Sequence, residues 1–258
     1  MRSTWLSSAA FLMLVAVASV VCAAEPPSID ELESRADELA SPLVETDFTM
    51  GLVVGLLVDG ETVVHGFGRI SSEDDSTPDG KTLYEIGSIT KTFTTLLLAD
   101  AVLRGELELD DEVNDFLPED VGSLSHDGRG ITLLDLATHT SRLPRMPRNF
   151  HPADSENPYA DYTAENLHEF LANCKLRRTP GSGYGYSNDP LALSDTVLKL
   201  NDDQQDRLAP GHDADLQPVA NWDFLAMAGA GAIRSNADDM LRYLQANRGE
   251  VEHPLQEA

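Results

Sequence analysis

An α+β fold, in which an antiparallel sheet is flanked by helices, is what the sequence predicts, and three of its segments point there. Gly51-Leu52-Val53-Val54-Gly55-Leu56-Leu57-Val58 and Thr62-Val63-Val64-His65-Gly66-Phe67 are β-rich runs joined by Asp59-Gly60. That dipeptide suits a tight hairpin turn because both of its residues tolerate positive φ. Upstream, Ile29, Leu32, Ala36, Leu39 and Ala40 recur at helical spacing within residues 25 to 45 and predict an amphipathic first helix. Downstream, a helix is expected to open at Ser88, run through Leu96, Leu97, Leu98, Ala99, Ala101, Val102 and Leu103, and stop at Arg104-Gly105. So dense an apolar run implies a helix buried in the core.

The hairpin is read as the start of the sheet, and the first helix precedes it. Residues 106 to 165 are loop-rich, with prolines at 118, 144, 147, 152 and 158 and a short helix expected near 131 to 138. Within this stretch His126-Asp127-Gly128 reads as a turn. Arg177 to Gly185 reads as a turn leading into Tyr186, and its glycines lack the Lys-Ser/Thr ending of a phosphate loop. Gly211-His212-Asp213 also reads as a turn, and Asp239 to Ala258 as a helix with the connection after it. No internal repeat is apparent.

Composition bounds the partners more than the reaction. With 258 residues, 41% apolar and 24% charged, the chain has an ordinary globular make-up and enough length for a good core. Its formal net charge of -26 is not ordinary, and it argues against nucleic acid and anionic membrane surfaces as partners. Residues 1 to 24 read as a secretory signal: Arg2 supplies the positive start, Ala9 to Val21 the apolar stretch, and Val21-Cys22-Ala23-Ala24 a small-residue cleavage site. The stretch is too short to serve as a stable membrane span, so export to the periplasm or beyond is expected. Ser19-Val20-Val21 before Cys22 lacks the usual bacterial lipobox pattern, which speaks against a lipid anchor. With Cys22 removed, Cys174 stands alone and reads as a small hydrophobe.

Chemistry concentrates in two motifs, each occurring once. Ser88-Ile89-Thr90-Lys91 puts a hydroxyl and an amine three positions apart, on one face if a helix starts there. A serine hydroxyl needs a group to accept its proton as it attacks, and a lysine amine or a tyrosine phenolate within hydrogen-bond reach can serve. Ser88 would also sit among the unpaired N–H groups of a first helical turn, where developing negative charge is favoured. Tyr186-Ser187-Asn188 follows downstream. The bland alternative is an N-cap serine followed by a solvated lysine.

Four stretches together carry a resemblance. Glu85-Ile86-Gly87-Ser88-Ile89-Thr90-Lys91-Thr92-Phe93-Thr94, Leu133-Leu134-Asp135-Leu136-Ala137-Thr138-His139-Thr140-Ser141, Tyr186-Ser187-Asn188 and Gly229-Ala230-Gly231-Ala232-Ile233-Arg234-Ser235 resemble, in order, the serine β-lactamase and penicillin-binding family of the class C type. That family includes D-alanyl-D-alanine carboxypeptidases and related esterases. The resemblance implies that residues 25 to 258 form one β-lactamase-related domain, with residues 106 to 180 as an all-helical lobe walling the cleft. It also implies an acyl-enzyme mechanism without cofactor or metal. Ser88 would attack a β-lactam, peptide or ester carbonyl, Lys91 and Tyr186 would carry the proton, and Asn188 would hold the substrate amide. The implied partner is a small molecule or a peptidoglycan peptide. Whether the lysine or the tyrosine is the base stays open.

The chain departs from the family pattern at three places. No Lys/His-Thr/Ser/x-Gly tripeptide follows Tyr186, although that motif lies on a strand supplying an oxyanion-hole N–H in the family, so a fold without its C-terminal strands is expected. Loss of one such donor costs about 10² to 10³ in rate, and missing strands leave a sheet edge unpaired. After Asn188, Asp189-Pro190-Leu191 replaces the family's glycine and long apolar helix, which suggests a deletion. Arg142 stands where the family has glycine, a costly exchange if the backbone there needs a positive φ or a close approach.

Rival chemistries find little support. An α/β-hydrolase needs Gly-x-Ser-x-Gly, and Gly185-Tyr186-Ser187-Asn188-Asp189 fails at its last position. The seven histidines are scattered without metal-ligand spacing, and His139 reads as structural rather than as a triad base. The rival of a different class is a non-catalytic remnant that binds peptidoglycan-like ligands or nothing.

Overall fold

The computed structural model describes residues 27–183 and 196–249. The signal reading of residues 1 to 24 and the motif residues Tyr186 and Asn188 lie outside the described residues. Helix α1 spans Ile29–Glu45 and begins with a complete capping box, in which Ser28 and Glu31 each satisfy the other's backbone N–H. Its inward stripe is Ile29, Leu32, Ala36 and Ala40, of which Ala40 is buried. Leu39, expected on that stripe, is instead 69% exposed, because a helix laid on a sheet covers only the centre of its apolar face.

The hairpin forms as read. Strand β1 (Gly51–Val58) pairs antiparallel with β2 (Glu61–Gly68), Val58 opposite Glu61, and the turn residues Asp59 and Gly60 both take positive φ, at 49° and 85°. Helix α1 packs against both strands. Four antiparallel strand pairs make up the described sheet structure, and β1 has β2 as its only strand partner among the described residues.

Strand β3 (Tyr84–Glu85) leads through a 3₁₀ turn at Gly87–Ile89 into α2 (Thr90–Leu103). Gly105, at φ 69°, stops α2 in the left-handed conformation that glycine tolerates. The expectation of a wholly buried helix is overturned. Thr90, Lys91, Phe93 and Ala101 are buried, while Leu97 and Leu103 are about half exposed among the described contacts. The apolar run has no narrow stripe, so burial of one side leaves leucines on the other.

Two short strands, β4 (Ser125–His126) and β5 (Arg129–Gly130), enclose Asp127 and Gly128 at φ 51° and 78°, the turn expected there. Helix α3 (Leu133–Ala137) follows, capped by Thr132 and Asp135, and α4 (Ala164–Ala172) is capped by Thr163 and Asn166. Val121, Leu124, Ile131, Phe170, Leu171 and Leu176 form the hydrophobic cluster that these elements share. Cys174 packs against it as a free thiol, and burial raises its pKa.

Beyond residue 195 come α5 (Asp202–Asp206), β6 (Gly211–His212), β7 (Pro218–Val219), α6 (Ala228–Gly231), β8 (Arg234–Ser235) and α7 (Ala237–Asn247). Gly211-His212, read as turn, pairs as a strand with Val219 and Pro218, and the bend begins at Asp213. Helix α7 lies across β1, where a Cβ on Gly55 would press on Leu241 at 3.2 Å. No helix of the described residues is long and apolar enough to cross a membrane.

Candidate active site

Gly87 takes φ 49°, a left-handed turn that lets the chain leave β3 and enter the 3₁₀ turn with Ser88 at the surface. One helical turn later Lys91 is buried, 6% exposed. Its Nζ donates to Ser88 Oγ at 2.9 Å and to the backbone carbonyl of Ala230 at 2.9 Å. The two residues that spacing placed on one face therefore meet, with the hydroxyl exposed and the amine held from below.

The holder is α6 and the strand after it. Ile233 N–H donates to Thr90 Oγ1 at 3.2 Å, and Ile86 N–H donates to the Ile233 carbonyl at 3.1 Å. Tyr84 pairs with Ser235 and Glu85 with Arg234 across β3 and β8. A Cβ on Gly231 would sit 3.3 Å from the tip of Phe224 and 3.6 Å from the Gly87 backbone, so α6 lies within ordinary packing distance of the serine turn. Arg234 is buried and bonds Glu85 Oε1 at 3.2 Å and the Trp222 carbonyl at 2.6 Å. Burial pushes the Glu85 carboxyl above its ordinary pKa, and the Arg234 charge only partly offsets this.

The loop after α3 reaches the same place. Burial, and then the Lys91 charge, lowers the pKa of His139, which favours the neutral imidazole beside the amine. Asp135 anchors this loop: its carboxylate takes Arg129 as a fork at 2.8 and 3.3 Å and accepts from Thr140 Oγ1 at 2.9 Å. Arg142 adopts φ 68°, the left-handed conformation that a glycine at this position would allow.

Sequence reasoning missed two neighbours of the motif. The Ala230 carbonyl has no side-chain signature, and only its place in a quoted family stretch pointed to it. His139 was legible as a motif residue, but its electrostatic contact with Lys91 depends on tertiary packing. Tyr186 and Asn188 lie outside the described residues.

An α+β frame in which a serine turn and a lysine are closed over by a downstream helix is the β-lactamase/transpeptidase type of fold. Solved structures agree: a class C β-lactamase aligns over 88% of this chain and 68% of its own, with a TM-score of 0.74 and 25% identity. A D-alanine carboxypeptidase AmpC from Burkholderia cenocepacia aligns over 89% and 68%, with a TM-score of 0.73 and 27% identity. The sequence model of the Beta-lactamase family matches residues 36–188, and the chain belongs to that family. A β-lactamase of Providencia stuartii is 27% identical over 85% of this chain and 61% of its own length. The D-alanyl-D-alanine-carboxypeptidase/endopeptidase AmpH of Escherichia coli (strain K12) is 26% identical over 88% and 67%. The chain thus spans about three fifths of the first of these relatives and two thirds of the second.

Proposed function

We propose that this chain is a serine hydrolase that works through an acyl-enzyme on a β-lactam, a D-Ala-D-Ala-type peptide or an ester. The 2.9 Å hydrogen bond from Lys91 Nζ to Ser88 Oγ carries the reading, because it pairs an exposed hydroxyl with a group able to manage its proton. Family membership and the names of its relatives support the β-lactam and peptide classes.

In the reaction, Ser88 Oγ attacks the carbonyl carbon while its proton passes to the unprotonated Lys91 amine or to the Tyr186 phenolate. The tetrahedral intermediate collapses, the C–N or C–O bond breaks, and the leaving group takes up that proton. Water then attacks the ester by the same route, releasing the acid and restoring the Ser88 hydroxyl. Asn188 is assigned to the substrate amide. In this reading the signal-like N-terminal segment directs the enzyme out of the cytoplasm.

Incubation with a fluorescent penicillin tests it. The folded parent becomes covalently labelled, and Ser88→Ala, Lys91→Ala and Tyr186→Phe do not, although each keeps the parental near-UV spectrum. A folded parent that takes no label, or a Ser88→Ala variant that still does, overturns the assignment in favour of a non-catalytic family member.

A further inference from the structure

Asp and Glu outnumber Lys and Arg by 44 to 18 in this chain, yet one open basin reverses the balance. The basin, about 810 Å³, lies between the loop that follows α3 and the end of α4, a size within the range of small-ligand sites. Arg142, Arg148, Lys175 and Arg177 line it against a single acidic side chain, Glu169. Among the described residues Arg148, Lys175 and Arg177 form no ion pair, and Arg142 directs its guanidinium to Ser182 Oγ at 3.2 and 3.3 Å. Gathering like charges without counter-charges opposes folding unless something anionic joins them.

The wall of the basin is already built. Asn149 Nδ2 donates to the Asn166 carbonyl at 2.8 Å and Asn149 Oδ1 accepts from Tyr162 OH at 3.0 Å, which fastens the loop to α4. Phe150 packs on Tyr159 and Tyr162 at ring distances of 5.3 and 5.4 Å. The floor is apolar, from Phe170 and Leu176, both buried in the hydrophobic cluster. The field of Arg148 reaches the Cys174 thiol at the edge of this floor, lowering a pKa that burial otherwise raises.

We propose that this basin binds a small organic polycarboxylate, with Arg148, Lys175 and Arg177 receiving the carboxylates and Phe170 and Leu176 packing on the hydrocarbon frame. Guanidinium groups take carboxylates as planar forks, and the apolar floor favours an anion with a carbon skeleton over a bare inorganic one. Neither Ser88 nor Lys91 lines the basin, so occupancy does not compete with the proposed acylation site. Both nevertheless meet one loop, since His139 at its start feels the Lys91 charge and Arg142 lies three residues on.

Calorimetric titration of the full chain with tricarballylate, a flexible tricarboxylate, tests the proposal. Binding is expected at about 50 mM salt and is several-fold weaker at about 200 mM, since exposed charges are screened over about a Debye length. The Arg148→Gln/Lys175→Gln double variant, which alters only exposed side chains, should bind about tenfold more weakly or worse while melting like the parent. Lys91→Met should bind as the parent does, and the neutral trimethyl ester and inorganic phosphate should bind far less. No binding by the parent, equal affinity in the double variant, loss of binding in Lys91→Met, or phosphate binding as tight as tricarballylate would each overturn it.

Discussion

The carbonyl of Ala230 accepts a hydrogen bond from Lys91 Nζ at 2.9 Å across 139 residues of sequence. Through it the downstream helix α6 fixes the amine that also reaches Ser88, so the motif's geometry is set by a distant part of the chain as well as by its own helical turn. Lys91 is buried, and a flexible side chain held at two points loses little further freedom when it acts.

That arrangement makes Lys91→Met a discriminating change. It fills much the same volume but leaves the Ala230 carbonyl without this donor, at a cost of about 1–3 kcal/mol in stability. If the amine manages the serine proton, covalent labelling by a fluorescent penicillin slows about 10²–10⁴-fold. Lys91→Arg keeps a cation but cannot give up its proton, so it should be as slow as Lys91→Met. Comparable labelling by parent and Lys91→Arg, measured on equal amounts of folded protein, removes the lysine from the proton path.

Phe93 supports the same helix from the other side. It is 1% exposed and packs on Tyr243 of α7 with ring centroids 4.5 Å apart. Phe93→Ala should cost about 3–5 kcal/mol by opening a cavity there, whereas Phe93→Leu should cost clearly less. Urea unfolding followed by near-UV signal measures both. A Phe93→Ala variant within 1 kcal/mol of the parent, on the order of experimental scatter, means that this contact does not brace α2.

The local half of the site was legible in the sequence and the long-range half was not. Ser88 and Lys91 share a face because three-residue spacing on a helical turn puts them there, a property of four residues. Asp59-Gly60 announced its turn for the same reason. Capture of Lys91 by Ala230 and the approach of His139 arise from packing between segments far apart in sequence, and a backbone carbonyl leaves no compositional trace. Leu39 and the exposed leucines of α2 show the reverse failure, in which periodicity named apolar residues but not how much of each face a neighbour covers. Arg142 lies between, since a family glycine at its place left open a positive φ or a close backbone approach, and the structure shows the positive φ.

Asp135 gives the fold an acid limit. Burial pushes its carboxyl pKa up, but the Arg129 fork, the Thr132 N–H and the Thr140 hydroxyl outweigh that and hold it below its ordinary value. A depressed folded-state pKa contributes stability that is present above the unfolded carboxylate pKa and lost as pH falls through the folded value. Asp135→Asn should therefore be less stable than the parent by about 1–3 kcal/mol at pH 7, through loss of charge-assisted bonds. The gap between the two should close as both are melted at progressively lower pH below about 4. A gap that stays constant into strong acid assigns the contribution to shape rather than charge.

Arg142 stores backbone strain in the loop that carries His139. At φ 68° an L-residue pays about 1–2 kcal/mol that glycine does not, while glycine loses about 0.5–1 kcal/mol in unfolded-state entropy. The guanidinium recovers a part through Ser182 Oγ and lies against Gly183, where an added Cβ would displace only the flexible end of the arginine. Because that hydrogen bond is exposed, its worth is small and the backbone decides the outcome. Arg142→Gly should equal or exceed the parent in stability by up to about 1 kcal/mol, and Arg142→Ala, which keeps the strain and loses the bond, should fall below both. Thermal melts of the three proteins should then rank glycine, arginine, alanine, and an alanine variant more stable than the glycine one would show that the left-handed backbone at this position carries no cost.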